Sequence, residues 1–138
     1  MRTSLIAKAV VFDAAGNVLL LRRSATDTRR PGEQDFPGGG IEDGEEYRAA
    51  VCREIFEEAG LSVAVGNVHL FYAASEIYRD TNITRLLFWT RVQDAAVQLS
   101  FEHDEYQWVT PEEALRLFPH PMYGTGLAYG LKHGIFVA

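Results

Sequence analysis

The sequence predicts an α/β layered domain, with a sheet covered by helices. Strand-like and helix-like patterns alternate along the chain, which is typical of that fold class. The 138 residues, 47% of them hydrophobic, can build one core of ordinary size. Because no repeat, low-complexity tract or linker marks a boundary, we expect a single domain over residues 1–138.

The N-terminal third is predicted to hold a hairpin followed by a loop. Residues 4–12 and 18–23 are apolar runs of strand length, and Gly and Asn within residues 13–17 favour a turn between them. Residues 24–34 are polar, with four charges, and predict a loop. Residues 37–40, Pro-Gly-Gly-Gly, predict a turn defined by the backbone.

The middle of the chain predicts a helix and then further strands. Residues 45–59 have a helical pattern, and Gly60 follows at the position of a left-handed C-terminal cap. Strand-like runs cover residues 63–78 and 84–92, and a short one covers residues 106–109.

Two helices are predicted near the C-terminus. Thr110 is a suitable N-cap and Pro111 suits the first helical position, while the two glutamates that follow favour the positive end of the helix dipole. This helix should reach about Leu117 and stop before Pro119. A further helix is expected near residues 123–132.

Composition limits the classes of partner. There are 13 Lys and Arg against 19 Asp and Glu, a net charge of -6, which argues against nucleic acid as a partner. One cysteine, Cys52, permits no intrachain disulfide. No run approaches the ~18 apolar residues of a membrane span, and no signal peptide is recognised. We therefore expect a cytoplasmic protein with no membrane partner.

The helix predicted over residues 45–59 carries an unusual acidic cluster. Its apolar stripe, expected to face the core, consists of Ala49, Cys52, Ile55, Phe56 and Ala59. Glu54, Glu57 and Glu58 share another side, where they repel one another by roughly 0.2–0.5 kcal/mol per pair and oppose the helix dipole by roughly 0.3–1 kcal/mol each. A Mg²⁺ ion among the carboxylates would remove this cost. The alternative is a solvated acidic face that only aids solubility.

Two neighbouring features favour the metal interpretation. Arg53 could reach Glu57, one turn later, and hold its carboxylate in one orientation. The glycines Gly38, Gly39 and Gly40 would let bare backbone approach a metal or a phosphate. Taken alone, three glycines would indicate only a flexible turn.

Residues 39–61 read GGIEDGEEYRAAVCREIFEEAGL and resemble the Nudix box, G-x5-E-x7-R-E-U-x-E-E-x-G-U, with U aliphatic. Every fixed position is filled, by Gly39, Glu45, Arg53, Glu54, Ile55, Glu57, Glu58, Gly60 and Leu61. The resemblance implies a Nudix α/β/α sandwich with a mixed sheet between helices. It also implies a hydrolase that needs Mg²⁺, or Mn²⁺ in its place, and splits the diphosphate linkage of a nucleoside diphosphate derivative.

The resemblance implies a role for each residue of the box. Metal binding would fall to the three clustered carboxylates, Glu54, Glu57 and Glu58. The carbonyl of Gly38 or Gly39 would complete the coordination shell. Arg53 would orient a glutamate without touching the metal, and Glu45 would be a structural or outer-shell partner.

A carboxylate must take the proton of the attacking water. Within the box, Glu57 or Glu58 could serve. Many members of the family use a downstream glutamate instead, which would be Glu102 or Glu105 here. We favour Glu102, which precedes the strand expected at residues 106–109 and lies in a loop that could fold over the site. The alternative is that this stretch is only a charged surface turn.

The substrate contacts are less defined. Arg23 could clamp a phosphate, although an arginine at a strand end commonly pairs with an acid. Backbone at Gly39 and Gly40 could approach the phosphates. Tyr78 lies 17 residues after Leu61, close to the position of a tyrosine associated with dinucleoside polyphosphate hydrolases of the family.

Three functions are consistent with the sequence. A (d)NTP pyrophosphohydrolase is favoured by the compact length. A dinucleoside polyphosphate or nucleotide-sugar hydrolase would use the same chemistry. A catalytically silent module that senses a nucleotide would not need the three intact glutamates. Each would take a small-molecule nucleotide as partner. Members of the family that the box resembles are often dimers, so we expect a monomer or homodimer. The four histidines show no metal-ligand spacing and are predicted to be surface or core residues.

Overall fold

The computed structural model describes residues 1–118 and 120–137. In that part of the chain, the strands are β1 (Arg2–Phe12), β2 (Val18–Arg23), β3 (Gln34–Asp35), β4 (Gly38–Gly40), β5 (His69–Tyr78), β6 (Thr81–Arg91) and β7 (His103–Val109). The α-helices are α1 (Tyr47–Ala59), α2 (Pro111–Leu117) and α3 (Pro121–Lys132). A 3₁₀ turn covers Val65–Asn67.

The strands form one mixed sheet in the order β3-β2-β1-β6-β5, with β4 also beside β1 and β7 also beside β2. Only the β1–β6 pair is parallel among the pairings described. The register of β1 with β2 is limited to Phe12 opposite Val18. Further along, β3 lies beside β2 and β4 lies beside β1, so residues 34–40 occupy the space between the two diverging strands.

The two faces of the sheet bury separate cores because side chains alternate along each strand. The core on one face joins the sheet to α1 and includes Ala7, Ala9, Val11, Val51, Ile55 and Ala59. The core on the other face joins the sheet to α2 and α3 and includes Val10, Phe12, Leu87, Ala114, Tyr123 and Leu127. This layering confirms the α/β/α prediction.

Local chemistry accounts for the predicted hairpin. The side chain of Asp13 accepts hydrogen bonds from the backbone of Ala15 at 3.0 Å and of Asn17 at 2.8 Å. Gly16 has φ 85°, a left-handed conformation that glycine adopts without strain. These bonds close the turn between β1 and β2, as the sequence predicted.

Several predicted bounds were wrong. The strand expected over residues 63–78 begins only at His69, because Gly66 and Asn67 favour the tight turn at Val65–Asn67. β6 begins at residue 81 and β7 at residue 103, each three residues earlier than predicted. α2 ends at Leu117 as expected, and Pro119 lies outside the described residues.

Two local predictions about the box were also wrong. The three glycines form strand β4 and not a turn. The stripe expected to face the core is rotated, since Phe56 is 59% exposed whereas Ala50 and Val51 are fully buried. The rotation turns the carboxylate of Glu58 inward, where it accepts a hydrogen bond from the backbone of Gly38.

None of the helices in residues 1–118 and 120–137 combines the length and the apolar character that crossing a bilayer requires.

Candidate active site

Both ends of α1 are fixed by local bonds, which sets the position of its last turn. Before the first residue, Tyr47, the Glu46 side chain caps the helix by accepting a bond from the Ala49 backbone at 2.9 Å. After the last, Gly60 adopts φ 71° and donates its N–H to the carbonyl of Phe56 at 2.9 Å. The predicted glycine cap is confirmed. The last turn of α1, which carries Glu54, Glu57 and Glu58 and is called the acidic turn below, is joined to β4 by the bond from the Gly38 backbone to Glu58.

Arg53 is the centre of a network of carboxylates. Its guanidinium donates to both oxygens of Glu45 at 2.7 and 3.0 Å. The same group bonds Glu54 at 3.0 Å, Glu57 at 3.1 Å and the carbonyl of Gly40 at 3.1 Å. The Glu45 bond is the largest of the contacts that raise the pKa of Arg53 above its usual range. This geometry suits a residue that orients glutamates, the role expected for Arg53.

Glu58 is the most buried of the three clustered glutamates, with a residue exposure of 4%. Its carboxylate accepts the N–H of Gly38 at 2.9 Å. Burial raises the pKa of Glu58 to about 8, against the opposing attraction of the Lys8 ammonium. Burial also raises the pKa of Glu54, although Arg53 opposes that shift. Two carboxylates of the cluster are therefore incompletely compensated by the positive charges around them.

Two glycines of β4 lie where a side chain would clash, Gly38 with the backbone of β1 and Gly39 with a carboxylate. A Cβ on Gly38 would lie 2.1 Å from the backbone oxygen of Ala7, and its φ of 144° disfavours any other residue. A Cβ on Gly39 would lie 2.8 Å from the carboxylate of Glu54. The Glu54 carboxylate thus rests against the bare backbone of Gly39.

A buried ion pair between Lys8 and Asp35 lies next to β4, and the sequence patterns did not predict it. Lys8 Nζ donates to Asp35 at 2.9 Å and to the carbonyl of Gly38 at 3.1 Å. Burial opposes the charge of Lys8, but Asp35 outweighs it and raises the pKa of the ammonium. The available signal was a lone lysine that interrupts the apolar run of residues 4–12. The same pairing means that the carbonyl of Gly38, an expected metal ligand, already accepts a hydrogen bond.

Arg23, expected to contact substrate, is bound to carboxylates of the chain. It donates to Asp27 at 2.6 Å and to Asp35 at 2.9 Å, and 19% of its side chain is exposed. The structure therefore has the pairing with acids that was the alternative interpretation. Among the described residues, no hydrogen bond joins Arg23 to a glutamate of the box.

The segment before β7 passes the C-terminal end of α1. The backbone N–H of Ser100 donates to the carbonyl of Glu58 at 3.3 Å, and the N–H of Glu102 donates to Ser100 Oγ at 3.3 Å. Glu102 is exposed two residues after that contact. Glu105, the other candidate, is paired with Arg22 at 3.1 Å. The structure thus brings the loop of Glu102 beside the acidic turn.

Tyr78 is not placed beside the glycine strand. It lies at the end of β5, 60% exposed, opposite Thr81, which is in turn opposite Arg2. Gly40 is opposite Ile6, four residues further along β1. Four residues of a strand span roughly 13 Å, so Tyr78 lies well along the sheet from the glycines.

The donor chemistry of the acidic turn fits Mg²⁺. Carboxylate and carbonyl oxygens are the ligands that this ion prefers, and the uncompensated burial of Glu58 and Glu54 would be relieved by a cation. Within residues 1–118 and 120–137, no group of three His, Cys, Asp or Glu side chains is already gathered at metal-binding spacing. Arg53 holds Glu54 and Glu57, so these side chains would have to turn toward an ion.

Comparison with known proteins identifies the family. The model of the NUDIX domain matches residues 3–125. The CTP pyrophosphohydrolase of Escherichia coli K12 is 31% identical over 108 residues, which are 78% of this chain and 77% of the relative. The 8-oxo-dGTP diphosphatase of the same strain is 34% identical over 89 residues, which are 64% of this chain and 66% of the relative.

Structural similarity extends over nearly the whole chain. The crystal structure of a MutT protein from Methanosarcina mazei Go1 superposes with a TM-score of 0.85 and 26% identity, covering 96% of both chains. The fold, the filled sequence box and the match to the domain agree. The chain therefore belongs to the Nudix family and is a MutT-like pyrophosphohydrolase.

Proposed function

We propose that the protein hydrolyses the diphosphate linkage of a nucleoside or deoxynucleoside triphosphate, with Mg²⁺ as cofactor and Mn²⁺ as a substitute. The observation that carries the proposal is the last turn of α1, where Glu58 and Glu54 lie against Gly38 and Gly39 and Arg53 holds the neighbouring Glu57. The similarity to the E. coli enzymes named for CTP and 8-oxo-dGTP supports a triphosphate substrate.

Glu54, Glu57 and Glu58 would hold the ion, with the Gly38 carbonyl as a further ligand. When bound, the ion would neutralise phosphate charge and polarise the phosphoryl oxygens. Arg53 keeps two of the glutamates oriented through bonds of 3.0 and 3.1 Å.

The reaction is attack of water on a phosphorus atom of the triphosphate. A P–O bond to the water oxygen forms, the anhydride P–O bond breaks, and the phosphate-bearing leaving group departs. A carboxylate accepts the water's proton. We favour Glu102, because it is exposed on the loop that Ser100 attaches to α1. Glu57 is the candidate within the box, since half of its side chain is exposed, whereas Glu58 is buried and bonded to Gly38.

The direct test is product release from a panel of triphosphates, dinucleoside polyphosphates and nucleotide sugars with Mg²⁺. The expected products are a nucleoside monophosphate and pyrophosphate, and Glu57→Gln should lower kcat at least roughly 100-fold. Glu112→Gln, an exposed change on α2, is the matched control.

Each contrary result has a distinct meaning. Faster turnover of a dinucleoside polyphosphate or nucleotide sugar would replace the triphosphate assignment but keep the chemistry. Absence of turnover at millimolar Mg²⁺ would favour a nucleotide sensor. Unchanged activity in Glu57→Gln would show that the acidic turn takes no part in the reaction.

A further inference from the structure

His103 is the buried residue of an otherwise exposed segment. Every other residue of the range 101–107 is exposed, whereas the side chain of His103 is 2% exposed. His103 directly follows Glu102, the residue proposed to accept the proton of the attacking water. A single side chain buried from a surface segment indicates an anchor for that segment.

A β-bulge places His103 on the interior side of β7. Along the pair of strands β2 and β7, Arg22 is opposite Glu105 and Arg23 is opposite His103, so Asp104 is an extra residue on β7. A bulge of this kind bends the strand and redirects the side chains beside it. Arg22 binds the exposed Asp104 at 2.8 Å. Because neighbouring side chains of a strand point in opposite directions, His103 is turned inward.

The imidazole of His103 lies beside a buried carboxylate. Its Nε2 is 3.8 Å from Asp35 Oδ2, and the side chain of Asp35 is 1% exposed. In the part of the chain that the structure describes, both ring nitrogens and Asp35 Oδ1 are buried without a hydrogen-bond partner. Such atoms are costly, and an apolar side chain would fill the same space without that cost. Packing alone therefore does not account for a histidine at this position.

Asp35 connects this segment to the glycine strand. Burial opposes the ionisation of Asp35, but the charge of Lys8 and its other polar neighbours outweigh that effect and lower the pKa of the carboxyl. The ionised carboxylate can only accept hydrogen bonds. Lys8 donates to Asp35 at 2.9 Å and to the carbonyl of Gly38 at 3.1 Å. One buried carboxylate thus lies against the lysine that binds β4 and against the histidine that follows Glu102.

Backbone bonds fix the loop on both sides of Glu102. The N–H of Ser100 donates to the carbonyl of Glu58 at 3.3 Å, and the N–H of Ser24 donates to the carbonyl of Glu102 at 3.0 Å. These bonds place the main chain beside the acidic turn. The buried side chain of His103 adds the third point that sets the rotation of the loop, and this rotation leaves Glu102 on the exposed side.

We propose that His103 is a positioning residue for the general base. Its imidazole, held against Asp35, fixes residues 100–103 so that the carboxylate of Glu102 is presented to the attacking water. The inference rests on the proposed function, because it takes Glu102 as the acceptor of the water's proton. His103 itself touches neither substrate nor water. Through Asp35 and Lys8, the loop of Glu102 and the strand of Gly38 are held in one fixed relation.

The first test compares kcat and KM of His103 variants on the triphosphate that the wild type hydrolyses fastest. His103→Phe keeps a ring of similar size and removes the N–H, so kcat should fall roughly 10- to 100-fold while KM changes less than about twofold. His103→Gln should retain most of kcat, because its amide nitrogen can take the place of Nε2. His133→Phe, an exposed change after α3, should leave kcat unchanged.

A double variant separates positioning from a general structural role. Glu102→Gln should lower kcat by itself, and adding His103→Phe should then lower it no further, because the group that His103 positions is already lost. An equal loss from His103→Phe with and without Glu102→Gln would overturn the inference. Full kcat in Glu102→Gln would also overturn it, while leaving the hydrolase itself intact.

Hydrogen exchange supplies a measurement that does not depend on turnover. The backbone N–H groups of Ser100, Glu102 and His103 are all bonded, so His103→Phe should exchange at least roughly tenfold faster over residues 99–104 and at the wild-type rate in α2. Equal exchange over residues 99–104 would overturn the anchor. If the wild type hydrolyses no triphosphate, the proposed function fails, and exchange still decides whether His103 holds the loop.

The burial of His103 requires a check on folding. Melting temperatures are measured for each variant, and only folded variants enter the comparison. If His103→Phe does not fold, His103→Asn replaces it, because its shorter amide does not extend to the position of Nε2. Full kcat in a folded His103→Asn variant would overturn the inference, whereas a loss that His103→Gln does not share would support it.

Discussion

Two basic residues of the chain, Arg53 and Lys8, compensate part of the negative charge of the acidic turn. Arg53 binds Glu54 and Glu57 from the accessible side, with 26% of its side chain exposed. Lys8 is buried, and its charge opposes the effect of burial on Glu58. The repulsion expected between neighbouring glutamates is therefore partly cancelled by fixed positive charge. The negative charge that Arg53 and Lys8 leave uncompensated can attract an added cation.

Lys8→Met should destabilise the fold. The change removes the Lys8 ammonium from Asp35, which is 1% exposed and keeps Arg23 at 2.9 Å and, more distantly, His103 at 3.8 Å. Leaving a buried charge undercompensated costs about 3 kcal/mol of unfolding free energy, by analogy with broken buried pairs. Urea denaturation followed by circular dichroism measures the loss.

The matched control for Lys8→Met is Arg22→Met, which breaks exposed pairs with Asp104 and Glu105. Exposed ion pairs contribute little, so this variant should unfold close to the wild-type urea concentration. If Lys8→Met also unfolds close to the wild-type urea concentration, the ion pair between Lys8 and Asp35 does not stabilise the fold.

At the scale of secondary structure, sequence patterns predicted the elements whose deciding contacts are local. The hairpin follows from Asp13 and Gly16, and the end of α1 follows from Gly60, because a turn or cap is decided within a few residues. The N-cap of α2 follows in the same way, since Thr110 accepts from the backbone of Glu113 at 3.2 Å.

Contacts between distant residues could not be read from those patterns. Lys8 and Asp35 are 27 positions apart, and Gly38 and Glu58 are 20 apart. Helical periodicity predicts that one side of α1 is apolar, but it cannot reveal that a buried N–H draws Glu58 inward and leaves Phe56 exposed. The filled box predicted the members of the candidate site better than it predicted their partners.

The glycine strand β4 should respond differently at each of its three positions. Gly38→Ala places a Cβ 2.1 Å from backbone and should cost roughly 2–4 kcal/mol of stability. Gly39→Ala places a Cβ 2.8 Å from the Glu54 carboxylate, the movable end of a side chain. It should keep the fold but displace that carboxylate, lowering kcat roughly 100-fold.

Gly40→Ala is the control within the same strand, because a Cβ there meets nothing within 4 Å. Thermal melts and kcat for the three variants together measure the pattern. Equal loss of stability in Gly38→Ala and Gly39→Ala would show that the Glu54 side chain is not free to move. Full activity in Gly39→Ala would show that its position does not matter for the reaction.

At the scale of the whole molecule, the candidate site lies where α1, strand β4 of the sheet and the segment before β7 meet. α1 packs on one face of the sheet, β4 fills the space between β1 and β2, and residues 98–100 return to the end of α1 through bonds to Ala59 and Glu58. The acidic turn is therefore enclosed by three separate parts of the chain. Its protonation should be coupled to global stability.

That coupling predicts how stability depends on pH in EDTA. The pKa of Glu58 is about 8 in the folded chain against 4.5 for an exposed glutamate, so the folded state binds more protons in that interval. Its contribution to the free energy of unfolding must then fall as pH rises from about 5 to 8, by at most ~1.4 kcal/mol per pH unit. The raised pKa of Glu54 acts in the same direction.

Other titratable groups change the free energy of unfolding in other pH intervals or in the opposite direction. Because the pKa values of Asp27 and Asp35 are lowered, their contribution to the free energy of unfolding is lost only at strongly acidic pH. The lowered pKa of His120 adds stability as pH rises toward neutrality, because the unfolded chain binds the extra proton there. Glu58→Gln isolates the glutamate contribution, since it leaves all three of these groups in place.

Melting temperatures from pH 5 to 8, with and without Mg²⁺, test this coupling. In EDTA the wild type should lose stability relative to Glu58→Gln as pH rises. Mg²⁺ should restore more stability at pH 8 than at pH 5.5, because a cation binds ionised carboxylates and not protonated ones. Parallel curves for the two proteins in EDTA would mean that Glu58 ionises as easily in the folded chain as in the unfolded one. Mg²⁺ stabilisation that does not depend on pH would place the ion away from the acidic turn.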